Sequence, residues 1–175
     1  MKGLFGNRPN ANRKAVILMR LEKRDAITLI GREGRGDGAR GGQWVPPLWR
    51  DLQMNMSEIA ALVKREPDGK PSGIWGAMSD TGRRFLPWEG EGLYLAGCET
   101  DPEAVAPAGW AKWVLPAAEY LVVDCTPQTY GAVFQQTLLH ALPENGFELA
   151  GAVHEYYDPQ SKAGGMSLYF PVRRV

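Results

Sequence analysis

Trp75-Gly-Ala-Met-Ser-Asp80 and Ala150-Gly-Ala-Val-His-Glu155 are the stretches whose comparison decides the fold. They align residue for residue, and each is followed by a second matching pair, Gly92-Leu-Tyr-Leu and Gly165-Met-Ser-Leu. Self-similarity of this kind marks a repeated structural unit. Upstream of the first copy, Leu48, Leu52, Met56, Ile59 and Val63 recur at helical spacing and predict a helix from Pro46 to about Val63. Upstream of the second, Tyr130, Val133, Phe134, Thr137, Leu138 and Ala141 predict a helix between Pro127 and Leu142. Thr126 stands before it as a cap, and Pro143 with Asn145-Gly146 ends it.

Strand-like runs surround both helices: Ala26 to Ile30, Ile74 to Ser79, Leu93 to Cys98, Tyr120 to Cys125, Leu149 to Tyr157 and Met166 to Val172. The unit strand, helix, strand, strand thus occurs twice, at about 25–101 and 112–174. The expected fold is α+β: two pseudo-twofold-related β-α-β-β halves forming an antiparallel sheet, with two helices on one face and a ligand cleft between the halves. The concavity is expected on the face that the helices leave bare. Residues 1–24 read as a basic N-terminal arm ahead of a single 25–175 domain. Gly31 to Gly42, Glu66 to Gly73 and Asp158 to Gly165, rich in glycine and charge, read as exposed loops.

Composition narrows the class. With 175 residues, 44% of them hydrophobic, and a mean hydropathy of -0.31, the chain is long enough for one sizeable core. No apolar run approaches the roughly 20 residues that cross a bilayer. The run Ala15 to Met19 is too short for a signal-peptide core, so a cytoplasmic protein with no membrane partner is expected. Twenty basic residues balance twenty acidic ones, although residues 1–40 hold ten basic and four acidic residues. Without interleaved aromatics or a helix-turn-helix pattern, that basic lead reads as a solvated arm. Cys98 and Cys125 form neither a disulfide framework nor a metal motif and read as buried thiols. His140 and His154 have no ligand partners at metal spacing, so no metal or cofactor is expected. A Cys98 or Cys125 nucleophile paired with His154 has no supporting signature. Gly36-Asp-Gly38-Ala-Arg-Gly41 has dinucleotide-loop spacing, but the following Gln43-Trp-Val-Pro-Pro and the late next strand speak against a βαβ crossover.

Glu155 is the leading chemical candidate. It interrupts an apolar and aromatic strand, where an ionised carboxylate is costly unless paired, and alternation places Val153, Glu155 and Tyr157 on one face. Its residue type fits recognition of a cation or general acid-base work; the alternative is an ion pair or a solvent-facing carboxylate. Asp80, its counterpart by the repeat, either faces the same cleft or belongs to a Ser79-Asp80-Thr81-Gly82 turn. Trp75, Trp88, Trp110, Trp113, Tyr94 and Tyr120 supply aromatic faces suited to flat or cationic ligands, with core packing as the alternative for each. Trp88, on an expected loop, is the best placed of the tryptophans.

Several motifs then fall into a familiar order: Trp113-Val-Leu-Pro116-Ala-Ala-Glu-Tyr120, Leu142-Pro143-Glu-Asn-Gly146-Phe147, His154-Glu155-Tyr156-Tyr157-Asp158-Pro159 and Leu168-Tyr169-Phe170-Pro171-Val172. Together with the upstream motifs Trp75 to Asp80, Phe85-Leu-Pro-Trp88 and Gly92-Leu-Tyr-Leu-Ala-Gly97, they resemble the GyrI-like, AraC-type effector-binding family over roughly residues 25–175. The resemblance implies the two-half fold and a pocket for bulky aromatic or cationic compounds, with Glu155 as pocket glutamate and Tyr120 as a pocket-side tyrosine. Family members include regulator domains, stand-alone proteins and hydrolases of cyclopropane-bearing toxins. With fewer than 25 residues ahead of the domain, no direct DNA binding is expected. The combined expectation is a small-molecule-binding protein whose pocket draws on Glu155, Tyr120, Trp88, Trp75, Asp80, Tyr157 and Trp113. The alternatives are a hydrolase in which Glu155 is catalytic and activates water, and a module that modulates a protein partner.

Overall fold

A computed structural model describes residues 18–159 and 165–175. Most of the expected arm, with Lys2, Arg8, Arg13 and Lys14, and residues 160–164 of the third expected loop lie outside the described residues. Among the described residues nine strands form one antiparallel sheet: β1 Met19–Arg24, β2 Ile27–Asp37, β3 Ile74–Asp80, β4 Glu91–Glu99, β5 Ala111–Leu115, β6 Ala118–Cys125, β7 Phe147–Leu149, β8 His154–Tyr157 and β9 Met166–Arg174. Helix α1 spans Gly41–Asn55; α2 spans Tyr130–Gln136, continues as a π-helical Thr137–Ala141 and closes with a turn at Leu142–Glu144.

The order across the sheet is β1-β6-β9-β8-β3-β4-β2-β5, with β7 added on β9. Exchanging β2, α1, β3, β4 for β6, α2, β8, β9, and β1 for β5, leaves this order unchanged, so the halves meet at the β3–β8 pair, where Gly76 stands opposite Glu155. The end of the expected arm is β1, paired with β6 from Met19↔Val123 to Arg24↔Ala118. The strand before each half thus joins the other half, because β5 pairs with β2.

This exchange shapes the sheet. Asp25 and Ala26 alone connect β1 to β2, a reach of about 11 Å, yet on a flat sheet the two strands would stand roughly 29 Å apart. Pro116 and Ala117 impose the same constraint on β5 and β6. The sheet therefore curls, and its inner face closes on Leu29, Trp75, Leu95, Trp113, Leu115, Tyr120, Val122 and Tyr169, all buried. The helix-free face is thus packed core, which corrects the expectation of a concavity there. On the outer face α1 covers Ile30, Ala96 and Cys98, while α2 covers Val123, Leu168 and Phe170.

Local departures have local causes. The glycine-rich segment after Ile30 continues as strand rather than loop, since a side chain at Gly34 would meet Leu48 and one at Gly36 would meet the Trp44 ring within 3 Å. The glycine spacing serves packing. Helix α1 begins five residues before Pro46, through a 3-10 turn capped by Asp37, whose carboxylate accepts from the Ala39 amide; the Trp44 indole donates to the Asp37 carbonyl. The helix ends at Asn55, but Ile59 and Val63 remain buried beyond it.

Candidate functional site

The gap between α1 and α2, above the β3–β8 seam, is a cleft of about 510 Å³. Glu155 and Tyr157 come from β8, Tyr94 from β4 and Met78 from β3, all on the outer face by strand alternation. Gly41, Val45 and Pro46 enter from α1, Tyr130 and Gly131 from α2, and Trp88 from the loop between β3 and β4. A depression of similar size on the outside of α2, around Gln135, Leu139 and His140, has no carboxylate of this burial.

Glu155 is 9% exposed and sits at the cleft floor. Its Oε2 accepts hydrogen bonds from the hydroxyls of Tyr94 at 2.6 Å and Tyr157 at 3.0 Å. The Tyr130 hydroxyl addresses the same carboxylate. Trp49 of α1 donates its indole N–H to the Tyr94 oxygen at 2.9 Å, and its ring meets Tyr157 edge-on at 4.8 Å. Burial raises the Glu155 pKa above its ordinary value, against the three hydroxyls that lower it. Burial likewise lifts Tyr94, Tyr130 and Tyr157, with the Glu155 charge adding to it, so the phenols stay protonated donors. Among the described residues no lysine or arginine pairs with this carboxylate. The site is therefore a buried, phenol-ringed acceptor, bounded by aromatic walls and with no resident cation among the described residues.

Trp88 forms part of the rim. It lies on Gly38 and Gly92, donates to the Leu93 carbonyl at 3.2 Å, and meets Trp44 with ring centres 5.5 Å apart. Gly76 gives the floor its shape: a Cβ there would lie 2.0 Å from the Tyr94 oxygen and 2.5 Å from Glu155 Oε2.

The structure brings together three of the seven expected residues, Glu155, Tyr157 and Trp88. Trp75, Trp113 and Tyr120 lie on the inner face, where Trp75 donates to Glu99 and Trp113 to Glu33. Asp80 closes a turn, accepting from the amides of Gly82, Arg84 and Leu86 and from the Arg84 side chain. Burial opposes its ionisation, but the Arg84 hydrogen bond and these amides hold its pKa well below the carboxylate range. It stands four residues along β3 from Gly76, about 13 Å away. Tyr94, Tyr130, Trp49 and Met78 complete the site; Tyr94 was legible as an aromatic strand residue and Tyr130 as part of the apolar face of the second helix, without a sign that either meets Glu155.

His154 is buried on the inner face, its Nδ1 accepting from the Met78 amide at 3.2 Å. Cys98 and Cys125 belong to the outer-face cores, with the sheet between them and His154, and burial pushes their thiols up to about 12 and about 11. No group of metal-ligating side chains occurs among the described residues.

The fold is a two-half module with a cleft at its seam, and the sequence profile over most of the chain makes it an effector-binding protein. More particularly, the chain belongs to the family of integron-associated effector binding proteins, whose sequence profile matches residues 20–172. No curated protein sequence matches it. Among solved structures it is similar to the protein SAV2435 bound to tetraphenylphosphonium, with TM-score 0.65 and 16% identity over 89% of this chain and 94% of that one. An integron cassette protein from the mobile metagenome of Vibrio cholerae gives TM-score 0.59 and 15% identity, over 89% and 95% of the chains. The EcmrR C-terminal domain gives 0.57 and 13%, over 91% and 99%. At these identities the likeness is one of fold. No helix among the described residues is long and apolar enough to cross a membrane.

Proposed function

We propose that this protein binds lipophilic, aromatic organic cations in the cleft between α1 and α2, with Glu155 as counter-charge. The observation that carries the reading is a nine-tenths-buried carboxylate that faces an aromatic cleft and, among the described residues, has phenols but no cation for partners. A buried charge without an opposite charge is destabilising, and an entering cation relieves it. Trp88, Tyr94, Tyr130 and Tyr157 add ring faces, each worth about 0.5–2 kcal/mol toward a desolvated cation. The cleft volume suits a drug-sized compound. The bound tetraphenylphosphonium of the similar SAV2435 supports the same ligand class.

The test is tryptophan fluorescence during titration with tetraphenylphosphonium and with the uncharged triphenylphosphine oxide, since Trp88 lines the cleft and Trp49 touches its floor. Saturable quenching by the cation, with binding of the neutral compound at least tenfold weaker, is expected. Equal affinity for both overturns the counter-charge role.

A second reading, hydrolysis of a reactive ligand, draws on the raised Glu155 pKa and the adjacent phenols, which suit general acid-base work. Product formation monitored by mass spectrometry, lost in Glu155→Gln while binding persists, separates turnover from binding.

A further inference from the structure

The two outermost strands of the sheet differ in polarity. Strand β5 turns Trp113 and Leu115 to the inner core, as an apolar edge strand should. Strand β1 does the reverse. Arg20, Glu22 and Arg24 lie on the inner-face side, opposite Val122, Tyr120 and Ala118 of β6, while Met19 and Leu21 lie on the outer side, opposite Val123 and Leu121. Met19 and Leu21 stay 41% and 44% exposed, with Leu18 beside them at 75%. Among the described residues no strand pairs with the other edge of β1, so a ladder of backbone donors and acceptors adjoins this apolar strip.

The sequence Met19-Arg20-Leu21-Glu22-Lys23 is self-complementary in one antiparallel register. With a twofold axis at Leu21, Leu21 stands against Leu21 of the second copy and Arg20 against Glu22, in both directions. Met19 packs along the aliphatic stem of Lys23. Directly opposed residues share a face, so the apolar pair meets on the outer side and both ion pairs on the inner side. Shifting the register by one residue would oppose Arg20 to Lys23 and cross the faces less favourably. Within one copy Arg20 contacts Glu22 at 2.7 Å and Asp124 at 3.1 Å, and the half-buried Glu22 also accepts from the Tyr169 hydroxyl at 3.1 Å; the Arg20 pairs are solvent-screened and exchange at little cost, while Glu22 keeps a second oxygen on Tyr169.

We propose that β1 is a self-association edge, joining two copies of this chain through antiparallel β1–β1 pairing about Leu21 and extending the sheet across the dimer. A six-residue edge is small, so the association belongs with the transient, concentration-dependent ones. The claim stands on β1 alone and does not depend on what the cleft binds.

The test is sedimentation equilibrium of the full chain from about 5 to about 500 µM. The expected result is a mass average that rises from monomer toward dimer. Arg20→Glu and Glu22→Arg each place like charges across the axis and should remain monomeric when alone. Mixed in equal amounts they are complementary in both pairs and should regain the dimer. Leu21→Lys, at a half-exposed site and with its fold checked by circular dichroism, should also remain monomeric. A monomeric wild type throughout the range overturns the proposal, as does a dimer that survives Leu21→Lys; well-folded charge variants that fail to associate when mixed overturn the register.

Discussion

Gly76→Ala tests whether the cleft floor is built as described. The added methyl would lie 2.0 Å from the Tyr94 oxygen, 2.8 Å from its ring carbon Cζ and 2.5 Å from Glu155 Oε2. Tyr94 cannot swing aside cheaply, because it is almost fully buried and held by Trp49 as well as Glu155. Overpacking a core costs about 1–3 kcal/mol, and loss of a hydrogen bond to a charged group about 1.5–3 kcal/mol. Partial relaxation reduces their sum, leaving roughly 3 kcal/mol, or about 6–12 °C of melting temperature for a chain of this length. The same displacement disorders the phenol ring around the carboxylate, so affinity for tetraphenylphosphonium should fall at least tenfold. Gly131→Ala is the matched control: it lines the same cleft, its added methyl meets nothing within 4 Å, and it lies in α2. Better helix propensity should stabilise it by about 0.5–1 kcal/mol. Differential scanning fluorimetry and ligand titration on both variants suffice. A Gly76→Ala protein that melts within about 2 °C of wild type and binds with equal affinity would refute the floor geometry.

Three further outcomes follow from the same contacts. Burial lowers the His154 pKa from 6.5 to about 4, so the neutral ring's stabilisation is complete above pH 6.5 and is lost as pH falls toward 4, by roughly 3 kcal/mol; urea unfolding across that window should show this slope in wild type and a shallower one in His154→Gln. Glu155, with its pKa raised, opposes folding increasingly as pH rises from 4.5 through the folded value, so Glu155→Gln should melt higher than wild type at pH 7.5, and a permanent cation should bind wild type more weakly as pH falls through the same range. Gly92→Ala would drive a methyl to 2.1 Å from the Trp88 indole and displace this wall of the cleft; ligand-induced quenching should shrink with only a modest change in melting temperature, because Trp88 is half-buried on a loop.

Both helices and the central strands were legible because their buried faces repeat with clear periods. Strand β1 was not: its alternation puts charges inward and apolar residues outward, which reads as a solvated arm. The extension of β2 was hidden by Gly31, Gly34 and Gly36, which look like a loop but make room for the β4 backbone, Leu48 and Trp44. Alternation grouped Glu155 with Tyr157, which the structure places together in the cleft, and the lone carboxylate in an apolar strand drew attention to the cleft floor. The side of the sheet on which the cleft opens was not legible, because it follows from the curl imposed by the short β1–β2 and β5–β6 links. Trp75, Trp113 and Tyr120 therefore resemble cleft residues in sequence and are core in the fold. Trp49 and Tyr94 meet across α1 and β4, a contact between distant residues that local pattern does not encode.

The most direct test of the central claim is isothermal titration of tetraphenylphosphonium into wild type and Glu155→Gln at pH 7.5. Loss of at least tenfold in affinity in the variant, about 1.4 kcal/mol or more, with the fold intact by circular dichroism, is the predicted result. Equal affinity in the two proteins would contradict a cleft whose ligand is held by the buried carboxylate.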